Sequence, residues 1–483
     1  MPASALDSLP TAPGESLLGH IHLVRNERFR FMRDLGQVGP LVRVRFLHRT
    51  VIFVTTAELA HQVLVEHAAS TEKASIMRLI LHDVAGDGIF TSEGPLWKRQ
   101  RRLMAPLFHP AQLANYTRMM NAEARRALDR FKDGATIDLA QEATRIALGV
   151  VGTTLFGADN FNQAEDLAEA LTTLLGWINE HIDSPMILVQ LKLRGALTLL
   201  RGRVPGMLEA MRGRAEKLLD DPVLVPGRNS AKLRAAMRTL DTRIHEMIRE
   251  RRAHPSSSKD LLARLLLARD VEPGSSGDGM SDEQVRDEAA TLFVAGNETT
   301  ATAIAWCFYL LARHPEARAR VQAEADAFGP DGPMQAEPQA LAYTTRVFKE
   351  ALRMYPPILV LARRTLEPIE LAGRTLPAHT NLFVCPYTIH QQPEIWPEPE
   401  RFDPDRFLPQ CEALRPKSAW LPFGVGPRVC IGGAFALIEG PIILATLMRR
   451  ARFEIDPDRV IEPESFTTPR PAGGVPAIVR FIC

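Results

Sequence analysis

One ten-residue stretch constrains this chain more than any other. Phe423-Gly424-Val425-Gly426-Pro427-Arg428-Val429-Cys430-Ile431-Gly432 sets a cysteine between glycines, just ahead of a helix-prone run. Gly426 and Gly432 permit tight turns and close backbone approach, since a residue without Cβ reaches conformations closed to others. Amide N–H groups at the start of the following helix point at the sulfur and favour its thiolate. Arg428, two residues earlier, offers a positive charge to an anionic group, and Phe423 offers a ring that shields the site from water. A thiolate placed this way suits a soft or redox-active metal.

The other cysteines, Cys307, Cys385, Cys411 and Cys483, read as ordinary structural thiols. Five is an odd number and no CxxC pair occurs, which argues against a disulfide framework or a structural zinc site and for a reducing compartment. With 46% hydrophobic and 24% charged residues over 483 positions, the chain has the composition of a soluble globular protein, not of a disordered or fibrous one. Its 58 basic and 57 acidic residues leave a net charge of +1, so there is no global field for nucleic acid. Residues 1–15 have neither a basic start nor a long apolar core; we expect no signal peptide and no membrane anchor, and treat 1–20 as an N-terminal arm. The single apolar stretch of membrane length, 289–312, contains Asn297, Glu298 and a run of threonines. A carboxylate at bilayer centre costs several kcal/mol, so a buried central helix is the better reading.

Residues 41–46 and 51–54 are β-rich runs around His48-Arg49-Thr50 and read as a hairpin. Residues 57–67 read as a helix. Much of 94–252 is helix-prone, broken at Pro110, Gly134, Gly157 and Pro205. The Pro/Gly/Ser-rich stretches 254–258 and 273–279 read as surface loops inside one domain. Ser281, with Gln284 three residues on, makes a capping box for a long helix. Val285, Ala289, Leu292, Gly296 and Thr299 then share one face of it. A helix over 341–355 is stopped by Pro356-Pro357, short strands follow at 369–371, 375–376 and 382–384, and a last helix follows Gly432. Gly440-Pro441 falls inside that helix and predicts a kink. The expectation is a single domain, 1–483, mainly α with small β-sheets.

The cysteine stretch resembles the haem-binding loop of the cytochrome P450 superfamily, F-x-x-G-x-R-x-C-x-G, with every fixed position filled. Ala434-Phe435-Ala436-Leu437-Ile438-Glu439 resembles its continuation. The resemblance implies the α-rich triangular prism of that family, with haem between the central long helix and the helix after the Cys loop. Cys430 would be the proximal metal ligand of one haem b per chain, its thiolate favouring O–O cleavage, with Phe423, Gly424, Arg428 and Gly432 around it and Ala295 and Gly296 on the central helix. Glu350-Ala351-Leu352-Arg353 fits the family's E-x-x-R, an i,i+3 pair on one helix face. Arg406, in Phe402-Asp403-Pro404-Asp405-Arg406-Phe407, completes that structural network in preference to Arg401 in the similar string just before it.

Ala295-Gly296-Asn297-Glu298-Thr299-Thr300 fits the family's A-G-x-[DE]-T-T. Glycine in mid-helix costs about 1 kcal/mol against alanine, so Gly296 invites a reason. Glu298 and Thr299 would be the catalytic pair that delivers the two protons consumed when dioxygen is split; the bland alternative is a Thr-rich helix with back-bonded hydroxyls. Trp97 and Arg101 resemble the W-x-x-x-R whose side chains donate to a haem propionate, and Arg363 matches a second propionate ligand upstream of a strand, with Arg364 an adjacent rival. By the same resemblance the substrate pocket would draw on residues 75–91, Phe293, Ala295, Ile358, Leu359, Val360 and Thr468. Lys98, Arg99 and Arg102 are either a basic docking patch or a solvated charge run.

The function implied is that of a soluble, cytoplasmic bacterial haem-thiolate monooxygenase. It would insert one atom of dioxygen into a lipophilic small molecule, with electrons from a separate ferredoxin or flavodoxin and no nucleic acid or membrane anchor involved. Its rivals are a peroxide-driven or non-oxidative haem enzyme of the same fold, and a haem sensor or carrier. The Glu298-Thr299 pair argues against the first, and the lack of a recognisable regulatory domain against the second.

Overall fold

The structure, a computed structural model, describes residues 6–47, 49–74, 81–82, 84–157, 165–182, 230–254, 260–270, 277–328, 340–464 and 468–482. His48, Pro205, Cys483, pocket positions 75–80 and 83, and loop residues 255–258 and 273–276 lie outside that set. The chain forms two compact units, one drawn from Met1–Ala74, Met104–Thr154 and Ala295–Cys483, the other from Ser75–Leu103 and Leu155–Val294.

The first unit carries three small sheets. Strands β1 (Leu41–Phe46), β2 (Arg49–Val54), β3 (Thr71–Lys73), β5 (Leu361–Thr365) and β8 (Asn381–Val384) form a sheet of order β1-β2-β8-β5-β3. The β1–β2 hairpin is antiparallel, with Leu41 opposite Val54, and β2 runs parallel to β8. Strands β4 (Thr136–Asp138), β9 (Ala451–Glu454) and β10 (Pro476–Phe481) make a second sheet, β4-β10-β9. Strands β6 (Ile369–Leu371) and β7 (Arg374–Leu376) make a two-stranded third.

Helices fill the rest of this unit. Ala303, Ile304, Ala305, Trp306, Cys307 and Phe308 are buried in succession. A helix buried all round needs apolar residues on every face, which explains the membrane-length apolar run. No helix among the described residues is long and apolar enough to cross a membrane. The helix Ala342–Met354 packs against the helix Gly433–Arg450. A Cβ on Gly440 would lie 2.3 Å from the Phe348 ring, so glycine there allows the close approach. The helix continues through Pro441 without interruption. Its buried residues, Glu439 to Met448, are held by neighbours on the core side, so the missing N–H bond does not end it.

In the second unit the helices Glu165–Ile182 and Ser230–Ala253 pack together. Arg251 is tied to Asp260 at 2.8 Å and donates to the Phe156 carbonyl at 2.9 Å. Asp260 in turn caps the helix Leu261–Leu267. The long helix spans Asp282–Arg313, and the 294/295 boundary falls inside it. Its capping box is formed: Gln284 N–H donates to Ser281 Oγ, and Ser281 N–H to Gln284 Oε1, both at 3.2 Å. Arg102 grips buried Asp270 with two hydrogen bonds of 2.9 and 2.6 Å, and Arg99 donates to the Gly279 carbonyl at 2.6 Å. Both arginines are thus engaged by a buried carboxylate and nearby carbonyls while staying partly exposed, and Lys98 is exposed.

Candidate active site

The cysteine loop is built from turns. Gly424 and Gly426 have φ of +69° and +79°, in the left-handed region that glycine alone enters cheaply. Gly426–Arg428 is a single 3-10 turn, closed by Val429 N–H to the Gly426 carbonyl at 3.0 Å. Cys430 N–H donates to the Phe423 carbonyl at 2.8 Å, pinning the cysteine to the start of its own loop. A Cβ on Gly426 would lie 2.3 Å from the Leu64 carbonyl, in the π-helical turn Gln62–Glu66, while Gly424 lies against Leu361 of β5. The loop is therefore clamped between that turn and the sheet. The Phe423 ring covers the first residue of the helix, within 3.3 Å of where a Gly433 Cβ would be.

Cys430 is exposed, whereas Cys307 and Cys385 are fully buried. Burial pushes the Cys385 thiol up to about 11 and that of Cys307 higher still, which makes both poor thiolates. A Cβ at Gly432 would meet no heavy atom within 4 Å. An accessible thiol on a rigid loop, with room for a ligand beside Gly432, fits the holding of a metal macrocycle.

A buried polar network lies beneath. Glu350 and Arg353 are both 0% exposed. Arg353 donates to Glu350 from Nε (2.7 Å) and Nη2 (2.8 Å), and from Nη1 to the His390 carbonyl (2.9 Å). Asp403 N–H donates to Glu350 at 3.0 Å, and Arg406 Nε stands 3.4 Å from the same carboxylate. Burial raises the Glu350 carboxyl above its ordinary range, opposed by the Arg353 hydrogen bonds.

His390 ties this network to the Cys loop. Leu421 N–H donates to His390 Nε2 at 2.8 Å, and Nδ1 lies 3.1 Å from the Arg353 carbonyl, which assigns the proton to Nδ1. Burial and the nearby Arg353 charge push this imidazole down to about 3, so it is neutral. Sequence reasoning missed His390, because neither its position nor its neighbours carry a spacing signal.

On the central helix, a Gly296 Cβ would lie 3.0 Å from Val151, so the glycine admits a neighbouring helix. Ala295 is exposed. Glu298 Oε1 accepts from Thr468 Oγ1 at 2.5 Å and from Arg470 Nε at 2.9 Å. Thr299 Oγ1 donates to the Ala295 carbonyl at 2.8 Å. Next to it, Thr300 hydrogen-bonds buried Glu439 of the helix after the Cys loop, and burial drives that carboxyl up to about 8. Nothing in the sequence pattern singled out Arg470, and Glu439 stood out only as the end of the stretch that continues the Cys loop, with no partner assigned to it.

The remaining candidates sit on several different elements. Arg363 lies upstream of β6, as expected, and also inside strand β5, where it pairs with Leu382 and extends the sheet. It is nearly buried, whereas Arg364 lies 3.6 Å from Glu72. Leu359 is buried in the core beside Phe31, Leu35 and Phe53, while Ile358 and Val360 are only partly buried. Arg428 is half-buried in its 3-10 turn. In the second unit, Trp97 and Arg101 lie one turn apart on Gly94–Met104, and Phe293 is fully buried, stacked on Phe156 at 5.9 Å.

A family model described as Cytochrome P450 matches residues 10–475. Cyclooctatin synthase of Streptomyces melanosporofaciens is 33% identical over 457 residues, 94% of this chain and 91% of that protein. Pentalenene oxygenase of Streptomyces avermitilis is 31% identical over 462 residues, 95% of this chain and 94% of its own. The crystal structure of a cytochrome P450DA heme domain shares the fold, with a TM-score of 0.79 at 23% identity over 98% of both chains. A family match of that extent, on a chain whose clamped, thiol-bearing loop is linked through His390 to a buried glutamate–arginine network, leads to one assignment: the chain belongs to the cytochrome P450 family and is a haem-dependent monooxygenase.

Proposed function

We propose that the chain hydroxylates or epoxidises a lipophilic terpene or terpenoid. The net reaction for hydroxylation is R–H + O2 + 2 e− + 2 H+ → R–OH + H2O. The observation that carries the reading is the Cys430 loop, whose thiol is the only exposed one among the described cysteines and whose backbone is pinned by its own hydrogen bonds. The terpene class is supported by relatives named cyclooctatin synthase and pentalenene oxygenase, and by the partly open apolar side chains of Ile358 and Val360.

Bound haem, read as one haem b per chain, supplies the one-electron chemistry that activates dioxygen. Cys430 would hold it, with Phe423 beside the loop packed on the first turn of the following helix, and by motif Arg363, with Arg364 its rival, would donate to a propionate. On motif alone, Trp97 and Arg101 are propionate donors as well. Glu298 takes protons from solvent and Thr299 passes them inward. Electrons come singly from a ferredoxin or flavodoxin. Each compact unit is discontinuous in sequence, so no single cut separates them, and we keep 1–483 as one functional domain working in a bacterial cytoplasm.

The test is spectroscopic. The reduced, carbon-monoxide-treated protein should show the red-shifted Soret band of thiolate ligation, and a terpene panel should shift the resting band as distal water leaves. A Soret band typical of imidazole ligation, or no porphyrin at all, would overturn the reading.

A further inference from the structure

The chain segment before β10 folds back as a hairpin, with Pro463 bridging Pro471 and Glu464 N–H donating to the Arg470 carbonyl at 2.8 Å. Its arms are fastened to one face of the long helix at three points. Tyr309 Oη accepts from Ile461 N–H at 3.3 Å, and Trp306 Nε1 donates to the Pro469 carbonyl at 2.6 Å. The third point is Glu298, held by Thr468 Oγ1 (2.5 Å), Arg470 Nε (2.9 Å) and Arg470 Nη2 (2.7 Å). Trp306 is itself fixed by stacking on Tyr355 at 3.7 Å, so the strap rests on a rigid support. Neighbouring residues sit about 100° apart round a helix. The Glu298 carboxylate is thus held on the strap side, while the Thr299 hydroxyl is bonded to its own helix backbone.

We propose that Arg470 and Thr468 form a latch that positions the relay acid Glu298, and that Arg470 is a positioning residue for proton delivery. The inference rests on the monooxygenase reading of Glu298. The Glu298 side chain is 14% exposed and that of Arg470 43%, so the latch ties a largely buried carboxylate to a guanidinium that reaches solvent. Held there, the carboxylate takes up a proton and swings inward. Without the latch the carboxylate loses that station, protons arrive out of order, and reductant is diverted: O2 + 2 e− + 2 H+ → H2O2.

The experiment uses holoenzyme with a ferredoxin, its reductase, NADPH and pentalenene as probe. Arg470→Gln should lower product per NADPH about fivefold, the size expected for losing one coupled contact, with peroxide rising in step. Arg470→Lys should restore most of it, and Thr468→Val should give a smaller loss. In a Glu298→Gln background, Arg470→Gln should add nothing further. Equal coupling in all variants, or additive losses in the double variant, would overturn the latch.

A second readout needs no turnover. Hydrogen exchange in 468–475 should speed up in both Arg470→Gln and Glu298→Gln, and unchanged exchange would also overturn the latch. A wild type that lacks the thiolate Soret band or leaves the probe untouched counts against the proposed function, while the exchange measurement still decides the latch.

Discussion

Glu350 shows how a single residue supports chemistry it never touches. Its carboxylate is the meeting point of Arg353, Arg406 and the Asp403 N–H, fully buried from the surface. Desolvating such charges costs several kcal/mol, and the cost is offset only while every partner is present. Glu350→Gln keeps the shape but strands two buried guanidinium groups. We expect a loss of about 3–5 kcal/mol, seen as a lower urea midpoint, with haem lost more readily because His390 links this network to Leu421, just before the Cys loop. Arg353→Lys should also destabilise, since one ammonium cannot match a fork that reaches both carboxylate oxygens and the His390 carbonyl. An unchanged midpoint in Glu350→Gln would show that the network is held by other contacts.

At the level of elements, the crossing of Ala342–Met354 over Gly433–Arg450 sets two effects of Gly440 against each other. Alanine is the better helix former by about 1 kcal/mol. Its Cβ, however, would fall 2.3 Å from Phe348, itself buried in the core, and overpacking typically costs about 1–3 kcal/mol. Packing should win, so Gly440→Ala is expected to lower the thermal midpoint, and Phe348→Leu in the same chain should recover part of the loss; a rise in the midpoint would show that Phe348 gives way freely.

The crossing also marks what the sequence could reveal. The Glu350–Arg353 spacing, the Ser281–Gln284 capping box and the Pro356 stop are local, and local patterns are legible. So was the cysteine loop, whose glycines and thiol lie within ten residues. The order β1-β2-β8-β5-β3 joins segments some 300 residues apart through backbone bonds that leave no side-chain pattern. Strand β5, which holds Arg363, was therefore missed, although the strand after it at 369–371 was read. As partners, His390, Arg470 and Glu439 were invisible for the same reason, since each acts across a gap in sequence that no periodicity spans.

For the molecule as a whole, two buried titratable groups shape stability against pH. His390 is held near 3, below its ordinary 6.5, by burial and by Arg353. Between those values the unfolded chain holds the extra proton, so stability falls as pH drops below 6.5 and the imidazole's contribution is gone near 3. Glu439 is held near 8, above its ordinary 4.5, by burial. Between those values the folded chain holds the extra proton, so stability falls as pH rises from 4.5 to 8. Each slope is about 1.4 kcal/mol per pH unit. These two contributions cancel from 4.5 to 6.5, leaving an acid arm from His390 and an alkaline arm from Glu439, to which the raised Glu350 carboxyl adds. Replacing either group removes its contribution and tilts the curve. Glu439→Gln should move the most stable pH upward, and His390→Asn should move it below 4.5. Thermal midpoints of the three proteins from pH 3 to 8.5 would check this, and curves that run parallel across that span would show that neither group titrates as its burial demands.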